Sequence, residues 1–253
     1  MGRLTGKRAL VTGTGTDGMG RAIALGFARE GADIALHHRA EPEQADAVAR
    51  EIAATGRRAR AFAADFSDTA ETRRMVRDAA DWLGGLDILL SAAGTITRTP
   101  FLALTDAEVQ HVVGVNLLGT FACAQEAARV MAAAGQGGRL IAISSINQQK
   151  GMPLQSHYAA SKGGIMQLFR SMALELGPLG ITCNLIAPSA VVTDLNRHIM
   201  GDAAHQARVA AMIPLGRIGL PQDMVGAAIF LACEESAWMT GTTLHVDGGR
   251  GAV

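Results

Sequence analysis

The chain has 253 residues, 49% of them hydrophobic, and its 23 lysines and arginines are matched by 23 aspartates and glutamates. That balance offers no basic face for nucleic acid and no electrostatic membrane anchor, and no run reaches the roughly 18 apolar residues that span a bilayer. Cys123, Cys183 and Cys233 are odd in number and lack metal-ligand spacing, so reduced thiols in a cytoplasmic protein are expected, with no metal.

The N-terminal MGRLTGKRALVTG carries charge and runs straight into a strand, without the apolar segment of a signal peptide. Arg8 to Thr12 is that strand. It enters Gly13-Thr14-Gly15-Thr16-Asp17-Gly18-Met19-Gly20, and a helix follows from Arg21 to Glu30. Strand, glycine turn and helix in that order bring backbone N–H groups to a phosphate. Asp33 to His37 is the second strand, Pro42 to Thr55 a helix, and Ala59 to Ala63 a third strand ending at Asp65. Thr69 to Leu83 reads as a helix with a capped, acidic start, and Leu86 to Leu90 as the fourth strand, followed by Ser91-Ala92-Ala93-Gly94.

Thr105 caps a long helix running to about Ala134, where glycines stop it. Arg139 to Ser145 is strand five, Ser156 to Leu176 a helix, and Ile181 to Ala187 strand six, ended by Pro188. A polar helical stretch, Asp194 to Met212, a helix from Pro221 to Cys233 and a last strand, Thr243 to Val246, complete the chain. Strands separated by helices of ten or more residues mean right-handed crossovers. The expected fold class is α/β, a single doubly wound (Rossmann-type) parallel sheet with helices on both faces, as one domain over residues 1–253. A substrate loop or lid is expected at about 189–214. Ligands belong beyond the carboxyl ends of the strands, where the glycine turn, Ser91 to Gly94, Ser145 and Pro188 all fall.

Tyr158, the only tyrosine, lies four residues before Lys162 in a helical run, so the two share a face one turn apart. An ammonium beside a phenol favours the phenolate and lowers its pKa, and such a phenol can exchange a proton with a substrate oxygen near neutrality. Ser145, at the end of an apolar strand, can point its hydroxyl at the same oxygen. His157 is turned about 100° away from Tyr158 around the helix and reads as pocket rim or surface.

With these residues assembled, the chain resembles a short-chain dehydrogenase/reductase of the single-domain type over nearly its whole length. The ordered matches are the glycine turn, Asp65, SAAG at Ser91, VNLLG around Asn116, ISS at Ser144 and Ser145, YAASK at Tyr158, APSAVVT at Pro188 and the closing GTTLHVDGG. The resemblance implies that Tyr158 is the general acid/base and that Lys162 tunes it and holds the nicotinamide ribose. Ser145 would bond the reacting oxygen, and Asn116 would disturb the long helix and hold a water in a proton relay reaching Lys162. It implies cofactor contacts at Gly13, Gly15, Asp17, Gly18, Met19 and Gly20, at Asp65 and Phe66, at Ala92, Ala93 and Gly94, and at Pro188, Ser189, Val191 and Thr193, besides Tyr158 and Lys162. It also implies a homotetramer built through the helices Asp106–Ala134 and Ser156–Leu176. By residue type alone, Asn116 also suits a helix kink, Asp65 a turn and Thr193 an N-cap.

Three positions depart from the family pattern. Asp17 lengthens the glycine turn by one residue, so a bulge is expected there. Ser91 stands for the usual Asn, and Ser189 for a Gly, which sets a side chain near the nicotinamide side. At the end of strand two the chain reads Leu36-His37-His38-Arg39, without an acid. Arg39, helped by His38, suits a 2′-phosphate, so NADP(H) is preferred and NAD(H) is the alternative; Glu41 and Glu43 are the carboxylates able to occupy Arg39 instead. Gln148, Gln149, Gln155 and His157 read as a polar rim for a small-molecule substrate. The C-terminal half resembles sugar dehydrogenases and, nearly as closely, 3-oxoacyl-carrier-protein reductases. A dinucleotide-binding regulatory protein without catalysis is the reading of another class.

Overall fold

Alternation of side chains along each apolar strand gives the molecule two cores. In the computed structural model, which describes residues 2–194, 196–197 and 202–252, the strands are β1 (Arg8–Val11), β2 (Asp33–His38), β3 (Ala59–Ala63), β4 (Ile88–Ser91), β5 (Gly138–Ile143), β6 (Ile181–Pro188) and β7 (Thr243–Val246). They form one parallel sheet in the order β3-β2-β1-β4-β5-β6-β7. Leu10, Leu89, Leu140 and Leu185 face one side, and Ala9, Val11, Ile88, Leu90, Ile141 and Ile186 the other.

The helices are α1 (Met19–Arg29), α2 (Pro42–Ala53), α3 (Thr69–Leu83), α4 (Asp106–Val113), α5 (Thr120–Ala134), α6 (Ser156–Leu176), α7 (Ala203–Ala211) and α8 (Val225–Ala232). Val76 of α3, Ala127 of α5 and Phe169 of α6 cover the first face; Phe27 of α1, Ile52 of α2 and Leu231 of α8 cover the second. Each fully buried Leu, Ile or Phe contributes about 2 kcal/mol. Helix ends follow local chemistry. Asp68 caps α3 by accepting from the Ala70 and Glu71 N–H groups, and Thr105 and Glu108 form a reciprocal capping box on α4.

The expected boundaries hold to within a few residues, and the differences have local causes. β4 starts at Ile88 because Asp87, before it, is taken by Arg8, whose Nη2 lies 2.7 Å from Oδ1 and whose N–H donates to Oδ2 at 2.8 Å. β5 stops at Ile143, and Ser145 instead caps a 3-10 turn over Ile146–Gln148. The long helix expected from Thr105 is interrupted by a π-helical turn at Gly114–Gly119. The polar helical stretch expected from Asp194 to Met212 is helical as α7; residue 195 and residues 198–201 lie outside the described residues. Pro221 to Cys233 divides into a 3-10 turn, Pro221–Met224, and α8.

Strand order reverses between β1 and β4, which opens a crevice at their carboxyl ends. Two side chains stitch this edge. The buried Thr12 hydroxyl accepts from the Ala92 and Ala93 N–H groups at 2.9 and 3.0 Å, tying the glycine turn to the loop after β4. His37 Nδ1 accepts from the Gly13 N–H at 3.1 Å while Nε2–H donates to the Ala64 carbonyl at 3.0 Å, so both contacts require the neutral ring with its proton on Nε2.

Burial lowers the His37 pKa from 6.5 to about 4. As pH falls below 6.5 the unfolded chain takes this proton before the folded one does, so stability should be lost progressively between pH 6.5 and about 4. This ring's share is about 3 kcal/mol. Urea unfolding followed at intervals across that window checks it: His37→Gln should flatten the acid loss, at the cost of lower stability at pH 7.

Candidate active site

Two adjoining cavities occupy the crevice. The first, about 350 Å³, is lined by Gly13, Gly15, Gly18, Met19 and Gly20 of the glycine turn, by His38 and Arg39, by Asp65 and Phe66, and by Ala92, Ala93 and Gly94. The second, about 460 Å³, holds Ser145, Tyr158 and Lys162 with Pro188, Ser189 and Val191. Met19, Ala92, Gly94, Thr95 and Thr193 line both, so the cleft is continuous.

The first cavity fits a dinucleotide. Gly13 has φ +70°, and a side chain at Gly20 would strike the Thr12 and Gly13 carbonyls, so only glycine lets α1 start this close to β1. No side chain caps α1, whose first N–H groups are therefore free for a pyrophosphate. His38 Nδ1 is buried without a partner, and among the described residues Arg39 makes no ion pair. The acids on that side are Glu41, which packs over Gly15 and accepts from the Ala40 N–H at 3.1 Å, and Asp65, which accepts from Ser67. Arg39 contributes, after the two Ser67 hydrogen bonds, to lowering the Asp65 pKa.

Asp17 is a correction: the residue that lengthens the turn lines neither cavity. Its N–H donates to Asp194 Oδ2 at 2.6 Å, its carbonyl accepts from the Asp194 N–H at 3.0 Å, and its carboxylate meets Arg197 at 3.2 Å. The extra residue thus bulges outward and binds the strap after Thr193. Ser189, expected to face the nicotinamide side, lines the cavity but donates its hydroxyl to the Asp247 carbonyl at 2.8 Å. Ser91 meets Thr120 at 3.5 Å, and the Thr12 hydroxyl holds the loop that an Asn would have bonded.

The catalytic candidates converge. Tyr158 and Lys162 lie on the first two turns of α6, and Lys162 Nζ donates to the Ile143 carbonyl at 2.9 Å and sits 5.6 Å from the Tyr158 ring centroid. Asn116 lies in the π-helical turn behind them. Its Oδ1 accepts from the Thr95 N–H at 2.8 Å, and its Nδ2 donates to the Thr95 carbonyl and to Ser161 Oγ. The side-chain amide is therefore spent on holding the loop after β4, and a proton relay past it would have to use the backbone of the widened turn.

The expected lowering of the Tyr158 pKa is not found in the protein alone. Burial pushes the phenol up to about 12, with a hydrogen bond to Ser145 pulling the other way, and burial pushes the Lys162 ammonium down to about 8. Desolvation penalises both charged forms more than one ammonium at this range offsets.

His157 is a second correction: it is buried, bonds Thr97 through Nε2 at 2.6 Å and lines neither cavity. Gln155 lines the second cavity, whereas Gln149 is exposed and Gln148 is buried against Thr243. The sequence reading missed Val115 around the first cavity, Arg250 around the second, and Thr12, which lines neither but stitches the crevice. Thr12 carried a signal, a hydroxyl where a strand meets glycines. The others arrive by tertiary packing.

A dinucleotide cleft that ends on a phenol, an amine and a hydroxyl defines a nicotinamide-dependent oxidoreductase. A family model described as enoyl-(acyl carrier protein) reductase matches residues 13–250. The L-rhamnose 1-dehydrogenase (NAD(P)(+)) of Sphingomonas sp. strain SKA58 is 38% identical over 246 residues, covering 97% of this chain and 96% of its own length. A 3-oxoacyl-acyl-carrier-protein reductase of Staphylococcus aureus strain Mu50 is 35% identical over 243 residues, covering 96% and 97%. Among solved structures, a gluconate 5-dehydrogenase from Burkholderia cenocepacia J2315, in complex with NADP and tartrate, superposes with a TM-score of 0.93 at 37% identity, covering 99% of this chain and 97% of that one. The chain belongs to the short-chain dehydrogenase/reductase family.

Since Tyr158 is the only tyrosine, ultraviolet difference absorbance titrates it alone. The protein by itself should show no tyrosinate below about pH 10, given a phenol pushed up to about 12. Saturating NADP+, whose oxidised ring is positively charged, should bring the transition down by about two units or more.

Proposed function

We propose that the chain interconverts a secondary alcohol and a ketone by hydride transfer, using NADP(H) by preference and NAD(H) as a poorer alternative, on a small polar alcohol of the sugar kind. One observation carries this reading: Ser145, Tyr158 and Lys162 line a single cavity that opens into the dinucleotide cleft through Met19, Gly94 and Thr193.

Tyr158 takes the alcohol proton during oxidation and returns it during reduction. Ser145, buried at the N-cap of the Ile146–Gln148 turn, holds the reacting oxygen and partly offsets the penalty on the phenolate. Lys162, anchored on the Ile143 carbonyl, supplies a fixed positive charge and a ribose contact. The dinucleotide, when bound, supplies the hydride donor or acceptor and, oxidised, a second positive charge. Asn116 positions Thr95 in the wall that the two cavities share.

Preference for NADP(H) rests on Arg39 and the unpartnered His38, and acceptance of NAD(H) on Glu41 in the same cavity. A sugar-type substrate is supported by the rhamnose and gluconate dehydrogenase relatives and by Asn147 and Gln155 in the cavity. Reduction of a 3-oxoacyl thioester is the second reading, favoured by the Staphylococcus relative. The chain works in the cytoplasm as a homotetramer; Leu118, Phe121 and Leu174, apolar and exposed along the helices α4 to α6, support that assembly.

Tyr158→Phe should lower turnover at least 100-fold, within the range of a lost general acid/base, while the NADP(H) dissociation constant stays within about threefold. Stopped-flow turnover and fluorescence titration check the two parts, and a protein that only binds dinucleotide would show no turnover to lose. Arg39→Gln should reduce kcat/KM for NADP(H) about tenfold or more and leave that for NAD(H) nearly unchanged. Initial rates at matched cofactor concentrations test it.

A further inference from the structure

The second cavity has a one-sided charge. Its lining includes the cations Arg98, Lys162 and Arg250 and the titratable His205, and among the described residues that line it none is Asp or Glu. Lys162 belongs to the catalytic group, which leaves two guanidiniums that the proposed chemistry does not use. A guanidinium donates five N–H bonds and accepts none. A neutral polyol leaves both of these charges unpaired, whereas an anion pairs them.

Three acids near these groups along the chain are already engaged. Asp247, three residues before Arg250, accepts from the Gly249 and Gly251 N–H groups at 2.8 and 2.7 Å. Asp202 caps α7 through the Ala204 N–H, and Glu108 accepts from Thr99 and Thr105. Among the described residues neither Arg98 nor Arg250 forms an ion pair. Arg98 is exposed, whereas Arg250 is half-buried and held in place. Its N–H donates to the Asp247 carbonyl at 3.3 Å, its own carbonyl accepts from Lys150 Nζ at 3.0 Å, and Nη2 rests 3.9 Å from Met212 Sδ, another wall residue. A charged donor at the wall of a cavity whose described lining holds no carboxylate suits a planar anion, which a guanidinium can receive with two parallel bonds.

We infer that the substrate carries a carboxylate remote from its reacting hydroxyl, as a hydroxy acid or keto acid of the sugar-acid type does, and that Arg250, assisted by Arg98, receives that carboxylate. This names the substrate class of the site proposed above and rests on that reading. The alcohol end meets Tyr158 and Ser145, and the acid end meets the tail after β7. Arg250 is thus a specificity-determining residue at the far end from the chemistry.

The test pairs acids with neutral analogues. Calorimetric titration of the NADP+-loaded protein with D-gluconate, with tartrate and with neutral sorbitol measures binding, and initial rates on acid and neutral alcohols measure turnover. The acids should bind, and be turned over, about tenfold or more better than the neutral partner, with the advantage shrinking as ionic strength rises. Arg250→Gln should weaken acid binding about 10- to 100-fold, chiefly as a raised KM, and bring the acid-to-neutral ratio of kcat/KM towards one. Arg98→Gln should do the same to a smaller degree, and it keeps the test open if the Arg250 variant does not fold. Equal or better binding of sorbitol, binding of neither, or an acid preference that survives both substitutions overturns the inference. If no alcohol of either kind is turned over with either dinucleotide, the oxidoreductase reading falls, while the calorimetric preference still decides the anion site.

Discussion

The hydroxyl of Thr12 is the contact on which the site depends. It lies where the strand order reverses, and it accepts two backbone N–H groups from the loop after β4. Those groups are buried or partly so, and left unpaired they would each cost about 1–3 kcal/mol. The same bond holds the loop that forms the wall between the two cavities. His37 adds a second stitch from the Gly13 N–H to the end of β3. Together they fix the glycine turn, the strand-two end and the strand-four loop relative to one another before any ligand arrives, which is what pre-organised binding of a long, flexible dinucleotide requires.

Burial sets the electrostatics of the other end. Tyr158 and Lys162 are close enough to cooperate, yet the low dielectric around them opposes both charges. In the protein alone the phenol therefore keeps its proton. A pair whose ionisation waits on an added positive charge couples proton transfer to the oxidised dinucleotide. In the proposed reaction that sign would be useful: the base would form where a hydride acceptor is bound, and the acid would persist where a reduced ring brings no charge to stabilise the phenolate.

Most of the architecture was legible because it rests on local rules. Unbroken apolar strands between amphipathic helices could only be a covered parallel sheet, and Thr105 and the glycines after Ala134 marked helix ends by their own chemistry. The proximity of the proposed catalytic pair was legible as well, since Tyr158 and Lys162 are one helical turn apart. The errors fall where a side chain's fate depends on distant segments. Asp17 left the cleft for partners 177 and 180 residues away, and His157 turned inward because Thr97 offered a partner. The fall of the phenol pKa failed for a related reason: spacing gives proximity, but desolvation is a property of the completed core.

Arg250 shows the same limit from the constructive side. Nothing in the closing VDGGRGAV marks it as a wall residue; it gets there because β7 pairs with β6 and Asp247 then turns the tail inward. A carboxylate taken into the cavity would, unpaired, raise the Tyr158 pKa further and oppose the base. Held on a guanidinium it is part of a nearly neutral pair, whose field falls off faster with distance than that of a lone charge. On the inference drawn above, anchoring the acid end on Arg250 would do two things at once: select the substrate and keep that substrate's charge from reprotonating the phenol.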